Sequence, residues 1–256
     1  MLTKIDSRPT QLLLVITAFF VANALIAECI GGKIFSLEAV FGFQPADFSL
    51  LGEDHLAISL TAGVILWPLE FVITDIVNEF YGPKVVRRIS YIAVTFIAYA
   101  FIMFYMAIHL PAAGFWPATG VSRGVPDMNI AFSAVFGQGL WIIIGSIIAF
   151  LVAQIVDVAV FHKIKKITGE KKIWLRATGS TLVSQLVDSF IVLFIAFYIG
   201  QGWSMQKVLA ICLVNYIYKF IVAILLTPII YLCHGAITKY IGREKTETMR
   251  QEAMGN

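Results

Sequence analysis

The stretch LEFVITDIVNEFYG, residues Leu69–Gly82, decides what kind of fold this chain can have. It begins in an apolar run and then places the carboxylates Glu70, Asp75 and Glu79 within ten residues. A carboxylate is costly in a lipid bilayer but ordinary in water. The solvent around this segment therefore determines how its acids are interpreted.

The composition of the whole chain indicates lipid as the main solvent. Of 256 residues, 59% are hydrophobic and 14% are charged, whereas a soluble domain is about 45–50% apolar and about 25% charged. The net charge of +3 comes from basic residues that flank apolar runs, so membrane topology explains them better than nucleic-acid binding does. The cysteines lack the spacing of a metal site or of a disulfide framework. They are Cys29, Cys212 and Cys233.

Six apolar segments are long enough to cross a bilayer as helices of about 20 residues. Helices are expected because every backbone polar group must be hydrogen-bonded within lipid. The sequence therefore predicts an all-α, polytopic membrane protein with six transmembrane helices and a single integral membrane domain over residues 1–256. We place the spans near Gln11–Ile30, Ala57–Val77, Ile89–Leu110, Ala134–Phe161, Thr178–Gly200 and Val208–Leu232.

The distribution of Lys and Arg predicts the orientation, because cytoplasmic connections carry an excess of these residues. Fifteen of the 19 fall in the two terminal tails and in the second-to-third and fourth-to-fifth connections. The opposite side has only Lys33, Arg123 and Lys207, and Lys219 lies within a span. The N- and C-termini are therefore both expected to be cytoplasmic, which agrees with an even number of spans.

Ionisable side chains inside the spans are the strongest candidates for function, since each costs about 2.5–3.5 kcal/mol at the bilayer centre. The acids Glu28, Glu70, Asp157 and Asp188 outnumber the single base, Lys219, which is expected to compensate one of these carboxylates. A dry interior with this imbalance would keep most of its carboxyl groups protonated. We therefore expect water, a cation or a donor-rich ligand among them, and each of these favours transport over a passive scaffold.

Helical spacing turns the polar side chains of each span toward one side. In the second span, Glu70, Thr74 and Asn78 share one face. Asp75 and Glu79 continue that face around the helix. The later spans each carry a polar pair three or four residues apart, so we expect all these faces to meet in a shared interior. The pairs are Gln154 with Asp157, Gln185 with Asp188, and Asn215 with Lys219.

A purely structural role stays open for some of these acids. Asp157 could mark the end of its helix and pair with Lys163 or Arg176. Asp75 and Glu79 could fix the cytoplasmic turn through interfacial salt bridges. Such salt bridges contribute little stability where they are exposed. The cations available in that turn are Arg87 and Arg88.

The opening stretch, extended to LEFVITDIVNEFYGPKVVRR, resembles the TD…EfYG…R signature of the queuosine precursor transporters, also called the vitamin uptake transporter (VUT) family. The likeness covers most of the chain, although the first outer connection is longer than the family pattern. Four further segments resemble the family's first, fourth, fifth and sixth spans in order. They are VANALIAECIGGK, AQIVDVAVFHKIKK, WLRATGSTLVSQLVDSFIVLFIAF and YKFIVAILLTPIIY.

This resemblance implies an importer in the cell inner (plasma) membrane that serves tRNA modification. Its substrate would be a queuosine precursor, 7-cyano-7-deazaguanine, 7-aminomethyl-7-deazaguanine or both. The expected partners are this small molecule and the lipid bilayer, with no nucleic acid, no cofactor and no enzymatic activity. An acid-rich interior suits such a base, because a carboxylate can accept hydrogen bonds from the ring N1–H and the 2-amino group together.

The site residues expected for this function fall into two sets. Glu70 or Asp188 would read the guanine edge, and Gln185, Gln154 and Asn23 would assist as substrate-binding residues. A second set is predicted to gate the path or to couple protons. Its members are Asp75, Glu79, Asp157 and Lys219. We expect no catalytic residue and no metal ligand.

Other functions stay open at this point. The chain could carry another vitamin-like heterocycle, or it could be a membrane assembly subunit. An intramembrane enzyme is disfavoured because the sequence lacks a nucleophile elbow, an HExxH motif and paired His ligands. The chain also lacks a Walker A motif, so proton coupling, facilitated diffusion and an external ATPase partner are all open, as is homo-oligomer formation.

Overall fold

Long apolar helices dominate the chain. The computed structural model describes residues 7–137, 140–169 and 173–255, and most of them are helical. Within these ranges, five helical segments are long and apolar enough to cross a bilayer, which confirms the predicted all-α, polytopic membrane class. The five segments are Arg8–Ile30, Pro83–Ile108, Met128–Thr168 (apart from residues 138 and 139, which lie outside the described ranges), Leu175–Ile199 and Met205–Ile241.

The helices and strands have the following bounds in chain order. The helices are α1 (Arg8–Ile30), α2 (Leu37–Val40), α3 (Trp67–Phe80), α4 (Pro83–Ile108), α5 (Met128–Phe136), α6 (Leu140–Thr168), α7 (Ile173–Leu193), α8 (Met205–Ile241) and α9 (Arg243–Gly255). The strands are β1 (Ile34–Ser36), β2 (Phe48–Leu50), β3 (Glu53–Leu56) and β4 (Ser59–Thr61). Two 3₁₀ turns cover Ala62–Ile65 and Pro117–Arg123, and a π-helical turn, Phe194–Ile199, continues α7.

The second predicted span, Ala57–Val77, differs most from the structure. Its first residues form β4 and a four-residue 3₁₀ turn, and α3 has only 14 residues. Pro68 explains the break, because proline lacks a backbone N–H and fits the first turn of a helix rather than its interior. At about 2.0 and 1.5 Å per residue, the turn and α3 together rise about 29 Å. A broken helix of that length still matches a bilayer core of about 30 Å.

Contacts between helix ends define an inner end of the bundle. The Tyr81 hydroxyl, just after α3, donates to the Pro9 carbonyl at the start of α1 over 2.8 Å. Arg8 donates to the Tyr240 carbonyl at the end of α8 over 3.0 Å. The first and last long helices therefore begin and end on the same side, as an even number of crossings requires. The number of crossings and the cytoplasmic side of this end stay predictions from the sequence, and the name inner end follows that prediction.

Helix α3 lies in the middle of the bundle, against α1, α4, α8 and α9. Every residue from Glu70 to Phe80 is buried, so all the acids of the opening stretch face the interior. Helices α6 and α7 pack closely along their length, and small residues permit this approach. A Cβ at Gly145 of α6, for example, would lie 3.2 Å from the Val192 carbonyl oxygen of α7.

The first outer connection, between α1 and α3, folds as two short antiparallel strand pairs, β1 with β4 and β2 with β3. The Glu38 carboxylate holds it together by accepting from the Ile58 N–H at 2.7 Å, the Ser36 hydroxyl at 2.8 Å and the Ala46 N–H at 3.3 Å. The bond from Ile58 is the main reason that the pKa of Glu38 falls from 4.5 to about 2.

Acid is therefore expected to loosen this outer connection. A lowered pKa contributes stability that is present above pH 4.5 and is lost as the pH falls toward about 2. Hydrogen exchange of the Ile58 N–H, corrected for its intrinsic rate, should accelerate across that window. The variant Glu38→Gln should lack this pH-dependent step. Equal protection of the Ile58 N–H at both ends of the window in the unmodified chain would refute the role of Glu38.

Candidate functional site

The buried polar side chains contact α3 at three levels, from the outer end of the helix to the inner end. At about 1.5 Å per residue, Glu70 lies about 7.5 Å outward from Asp75, and Asp75 lies about 6 Å outward from Glu79. Each of these acids has a different set of partners. The three sets are called here the upper group, the cleft and the inner ion cluster.

The upper group joins α1, α3 and α6 through Asn23, Glu70, Thr74 and Gln154. The Asn23 amide donates to Glu70 Oε2 at 2.7 Å and to the Leu66 carbonyl at 3.2 Å. The Thr74 hydroxyl lies 3.3 Å from Gln154 Oε1. Leu66 lies where the 3₁₀ turn meets α3, so Asn23 joins α1 to the start of α3. Glu70 Oε1 and Gln154 Nε2 are buried without a hydrogen-bond partner in the described part of the chain.

The cleft lies between α3, α7 and α8. Its apolar lining comes from α3 and α8, and its polar lining comes from all three helices. The Thr181 hydroxyl donates to Asp75 Oδ2 at 3.4 Å, and Gln185 Oε1 is buried without a partner among the described residues. The free space is only about 20 Å³, enough for about one water molecule. The apolar lining includes Phe71, Val72, Leu226 and Ile230, and the polar lining includes Asp75, Thr178, Thr181, Gln185 and Lys219.

Two further acids lie next to the cleft. Asp157 of α6 accepts from the Ser184 hydroxyl at 3.1 Å. Asp188 of α7 pairs with Lys219 of α8 at 2.7 Å. Lys219 thus balances a carboxylate, as the sequence suggested, while also lining the cleft.

The inner ion cluster places one carboxylate among three cations. Glu79 accepts from Arg176 at 2.5 Å and from Arg250 at 2.7 Å, and Lys165 lies 3.3 Å away. All four side chains are at most 10% exposed. The Arg176 guanidinium also lies 5.9 Å from the ring centre of Phe161. Arg250 comes from α9, which folds back beneath the bundle.

This cluster corrects two expectations from the sequence. Arg87 and Arg88 do not pair with Glu79, because α4 turns both of them outward. Lys165, Arg176 and Arg250 were assigned to connections and a tail by the charge distribution, but they lie inside helices and are buried. A basic residue near the end of a span indicates which side of the membrane that end is on. It does not indicate whether its side chain is buried in the protein.

The alternative partners considered for Asp157 were also wrong. Arg176 bonds Glu79 and the Gly169 carbonyl, and Asp157 accepts instead from Ser184. Sequence reasoning missed this hydroxyl. It belongs to a stripe of hydroxyl side chains on α7 that recur every three residues in ATGSTLVS. The helical spacing that was used for the acids could also have revealed this stripe. The stripe is Thr178, Thr181 and Ser184.

The structure divides the residues predicted to bind substrate. Asn23, Glu70 and Gln154 come together in the upper group. Gln185 lies in the cleft, and Asp188 reaches that cleft only through Lys219. Within the described residues, no group of three or more His, Cys, Asp or Glu side chains could hold a metal ion.

A comparison with known proteins identifies the family. A family model described as "Putative vitamin uptake transporter" matches residues 61–233, which is more than half of the chain. The chain belongs to this family. The matched region contains α3, α7 and most of α8, and therefore the whole of the cleft.

Two curated relatives of this chain have names that are more specific than the description of the family. The "Probable queuosine precursor transporter" of Bacillus subtilis (strain 168) is 31% identical over 183 residues, which is 70% of this chain and 73% of the relative. The "Queuosine precursor transporter" of Escherichia coli (strain K12) is 27% identical over 170 residues, which is 66% of this chain and 70% of the relative. No solved structure matches the chain.

Family membership confirms several predictions together. The chain is a transporter and not an enzyme, as the resemblance of its sequence implied. The apolar helices and the family make it a multi-pass protein of the inner membrane. The roles of the individual site residues stay predictions.

Proposed function

We propose that the chain imports queuosine precursors, namely 7-cyano-7-deazaguanine, 7-aminomethyl-7-deazaguanine or both. The names of its relatives support this substrate class. The observation that carries the proposal is the cleft, whose lining combines apolar and polar side chains. A flat base needs both, because its faces are apolar and its edges carry donors and acceptors. The cleft must widen from its present width to admit the ring.

Asp75 is the carboxylate best placed to read the base. Its Oδ1 is buried without a hydrogen-bond partner in the described part of the chain, so it can accept from the ring N1–H and the 2-amino group. The amide of Gln185 can serve the ring acceptors, and Phe71 can cover one face. Asp75 was predicted only for gating or proton coupling, so this proposal extends its role.

Asp188 and Lys219 suit the aminomethyl form of the base in particular. That substrate carries a cation, and a carboxylate has two oxygens that accept hydrogen bonds. Lys219 contacts Oδ2 of Asp188, so the substrate cation can share this carboxylate by contacting Oδ1. This is the proposed substrate-binding role of Asp188.

The upper group is proposed to act on the outer side of the same path. Glu70, Asn23 and Gln154 lie outward of Asp75 and hold the break before α3. Their unpartnered atoms give a polar lining that an incoming base can contact before it reaches the cleft. Glu70 would then contact the substrate while Asn23 holds the start of α3 through the Leu66 carbonyl.

The inner ion cluster is proposed to be the cytoplasmic gate. A small cavity lies between it and the cleft, and Asp75 lines both spaces. Glu79 and His234 line the cavity on its inner side. Separation of Glu79 from its cations would open this route to the cytoplasm. The buried neighbours Asp75 and Asp157 are the candidates for carrying a proton.

Another flat, vitamin-like heterocycle is the second candidate substrate. The description of the matching family favours it, and the walls of the cleft would suit such a ring equally well. The two candidates differ in the atoms along the polar edge of the ring. The choice between them therefore depends on Asp75 and Gln185.

Whole-cell uptake tests the proposal. The host should lack its own importer and queuosine synthesis but keep the later enzymes, and queuosine in tRNA is the readout. The chain should make queuosine depend on an added precursor. Asp75→Asn should lower it at least tenfold, since one lost charge-assisted hydrogen-bond pair is worth about 1.5–3 kcal/mol. Asp54→Asn, at an exposed acid of the outer connection, is the matched control and should leave uptake unchanged.

The negative result is equally informative. If neither precursor yields queuosine although the chain is present in the membrane, queuosine precursors are not its substrates. Another heterocycle then becomes the better candidate substrate. If both precursors work and Asp75→Asn is normal, the function stands but the cleft is not the binding site.

A further inference from the structure

Helix α4 has one face in the protein core and one face on the outside. Val86, Ile89, Ala93 and Ile97 are buried in the main apolar cluster. The opposite face is exposed over three turns, and its side chains border a shallow, open depression that is called here the groove. From the inner end outward, the groove is lined by Lys84, Arg87, Arg88, Tyr91, Ile92, Thr95 and Phe96.

The inner end of this groove carries three positive charges within five residues. No described residue supplies an acid to Lys84, Arg87 or Arg88. In contrast, the three buried cations at the same end of the bundle all share Glu79. The groove therefore keeps its positive charge available for an external anion.

The groove lies where a membrane surface meets the protein. Helix α4 begins beside α9 at the inner end, since a Cβ at Gly82 would lie 3.3 Å from the Ala253 backbone. Beyond the cations, the exposed side chains become apolar and aromatic, and Tyr91 is 55% and Phe96 49% exposed. Tyrosine at such a boundary is favoured because its ring is amphipathic.

We propose that this groove is a binding site for one anionic phospholipid of the inner leaflet. The phosphate would lie among Lys84, Arg87 and Arg88, and one acyl chain would follow Ile92 and Phe96. A soluble anion would use only the charged end, whereas a phospholipid uses the whole groove. The site is separate from the cleft and the inner ion cluster and does not depend on the proposed substrate.

Lipid titration of the purified, delipidated full-length chain tests this site. Native mass spectrometry would count bound phosphatidylglycerol and phosphatidylcholine with identical acyl chains, and free glycerol phosphate would be the soluble probe. The unmodified chain should bind phosphatidylglycerol at least tenfold more tightly than phosphatidylcholine. The double variant Arg87→Gln/Arg88→Gln should lose that preference, since each basic residue near an anionic surface contributes about a factor of five.

The matched control is Lys163→Gln/Lys166→Gln, which removes two exposed charges of α6 at the same end. It should keep the preference for phosphatidylglycerol. Equal losses in both double variants would mean diffuse attraction and would overturn the site, as would the absence of any preference in the unmodified chain. Glycerol phosphate binding as tight as the lipid would also overturn it. Equal thermal unfolding temperatures of both variants without lipid would exclude misfolding as the cause.

Discussion

Replacing Glu79 with glutamine is expected to prevent most of the chain from accumulating in its folded form. The change would leave Arg176 and Lys165 buried without a carboxylate, and it would remove the buried carboxylate that Arg250 shares with them. Breaking one buried ion pair costs about 3–5 kcal/mol, which is a large part of a total stability of about 5–15 kcal/mol. Size-exclusion chromatography of a fluorescent fusion, extracted in mild detergent, would measure the folded fraction.

The control for Glu79 is another acid that contacts the same arginine. Glu247 lies 3.9 Å from Arg250, but its side chain is 59% exposed. Exposed pairs contribute about 0–1 kcal/mol, so Glu247→Gln should accumulate normally. Arg250→Gln should lie between these results, because Glu79 keeps two cations. If Glu79→Gln and Glu247→Gln give the same folded fraction, the inner ion cluster does not stabilise the bundle.

Replacing Asp188 with asparagine is expected to lower uptake at least tenfold while the chain still reaches the membrane. A loss would follow whether Asp188 binds substrate or only balances Lys219, which lies 2.7 Å away. The double variant Asp188→Asn/Lys219→Gln separates these roles, because it removes both charges of the pair. Under our proposal, uptake by the double variant stays low, and the aminomethyl precursor is affected more than the cyano precursor.

A polar neighbour on α8 provides the comparison for Asp188. Asn215 lies one turn before Lys219 and donates to the Ile211 carbonyl of its own helix at 3.0 Å. Asn215→Ala should therefore leave uptake unchanged. Recovery of uptake in the Asp188→Asn/Lys219→Gln variant would show that the pair serves only to balance charge, and the substrate-binding role of Asp188 would be withdrawn.

Much of the fold could be predicted from local patterns. Apolar runs of about 20 residues predict the long helices, because a helix is the simplest structure in which all backbone N–H and C=O groups are hydrogen-bonded within lipid. The same pattern indicated that the face of α3 with Glu70, Asp75 and Glu79 is buried. It also indicated a partner for Lys219, since a lone base in a membrane needs an acid.

Pairing between distant segments could not be predicted in this way. Arg250 bonds Glu79 across 171 positions of sequence, and nothing local to either residue selects the other. The strand pairs of the outer connection were missed for a related reason, since three-residue strands carry too little periodicity to detect. The late start of α3, at Trp67 and not at Ala57, could be predicted in part, because Pro68 marks where a helix can begin.

The inner ion cluster also has a consequence for the order in which the protein is made. Its four charged residues leave the ribosome as Glu79, Lys165, Arg176 and Arg250. Glu79 must therefore enter the membrane as an acid without its partners and wait for three later segments. Until α9 emerges, nascent chains should hold this acid near the cytoplasmic water, with α3 incompletely seated. Assembly of the bundle would then be completed from its C-terminal side.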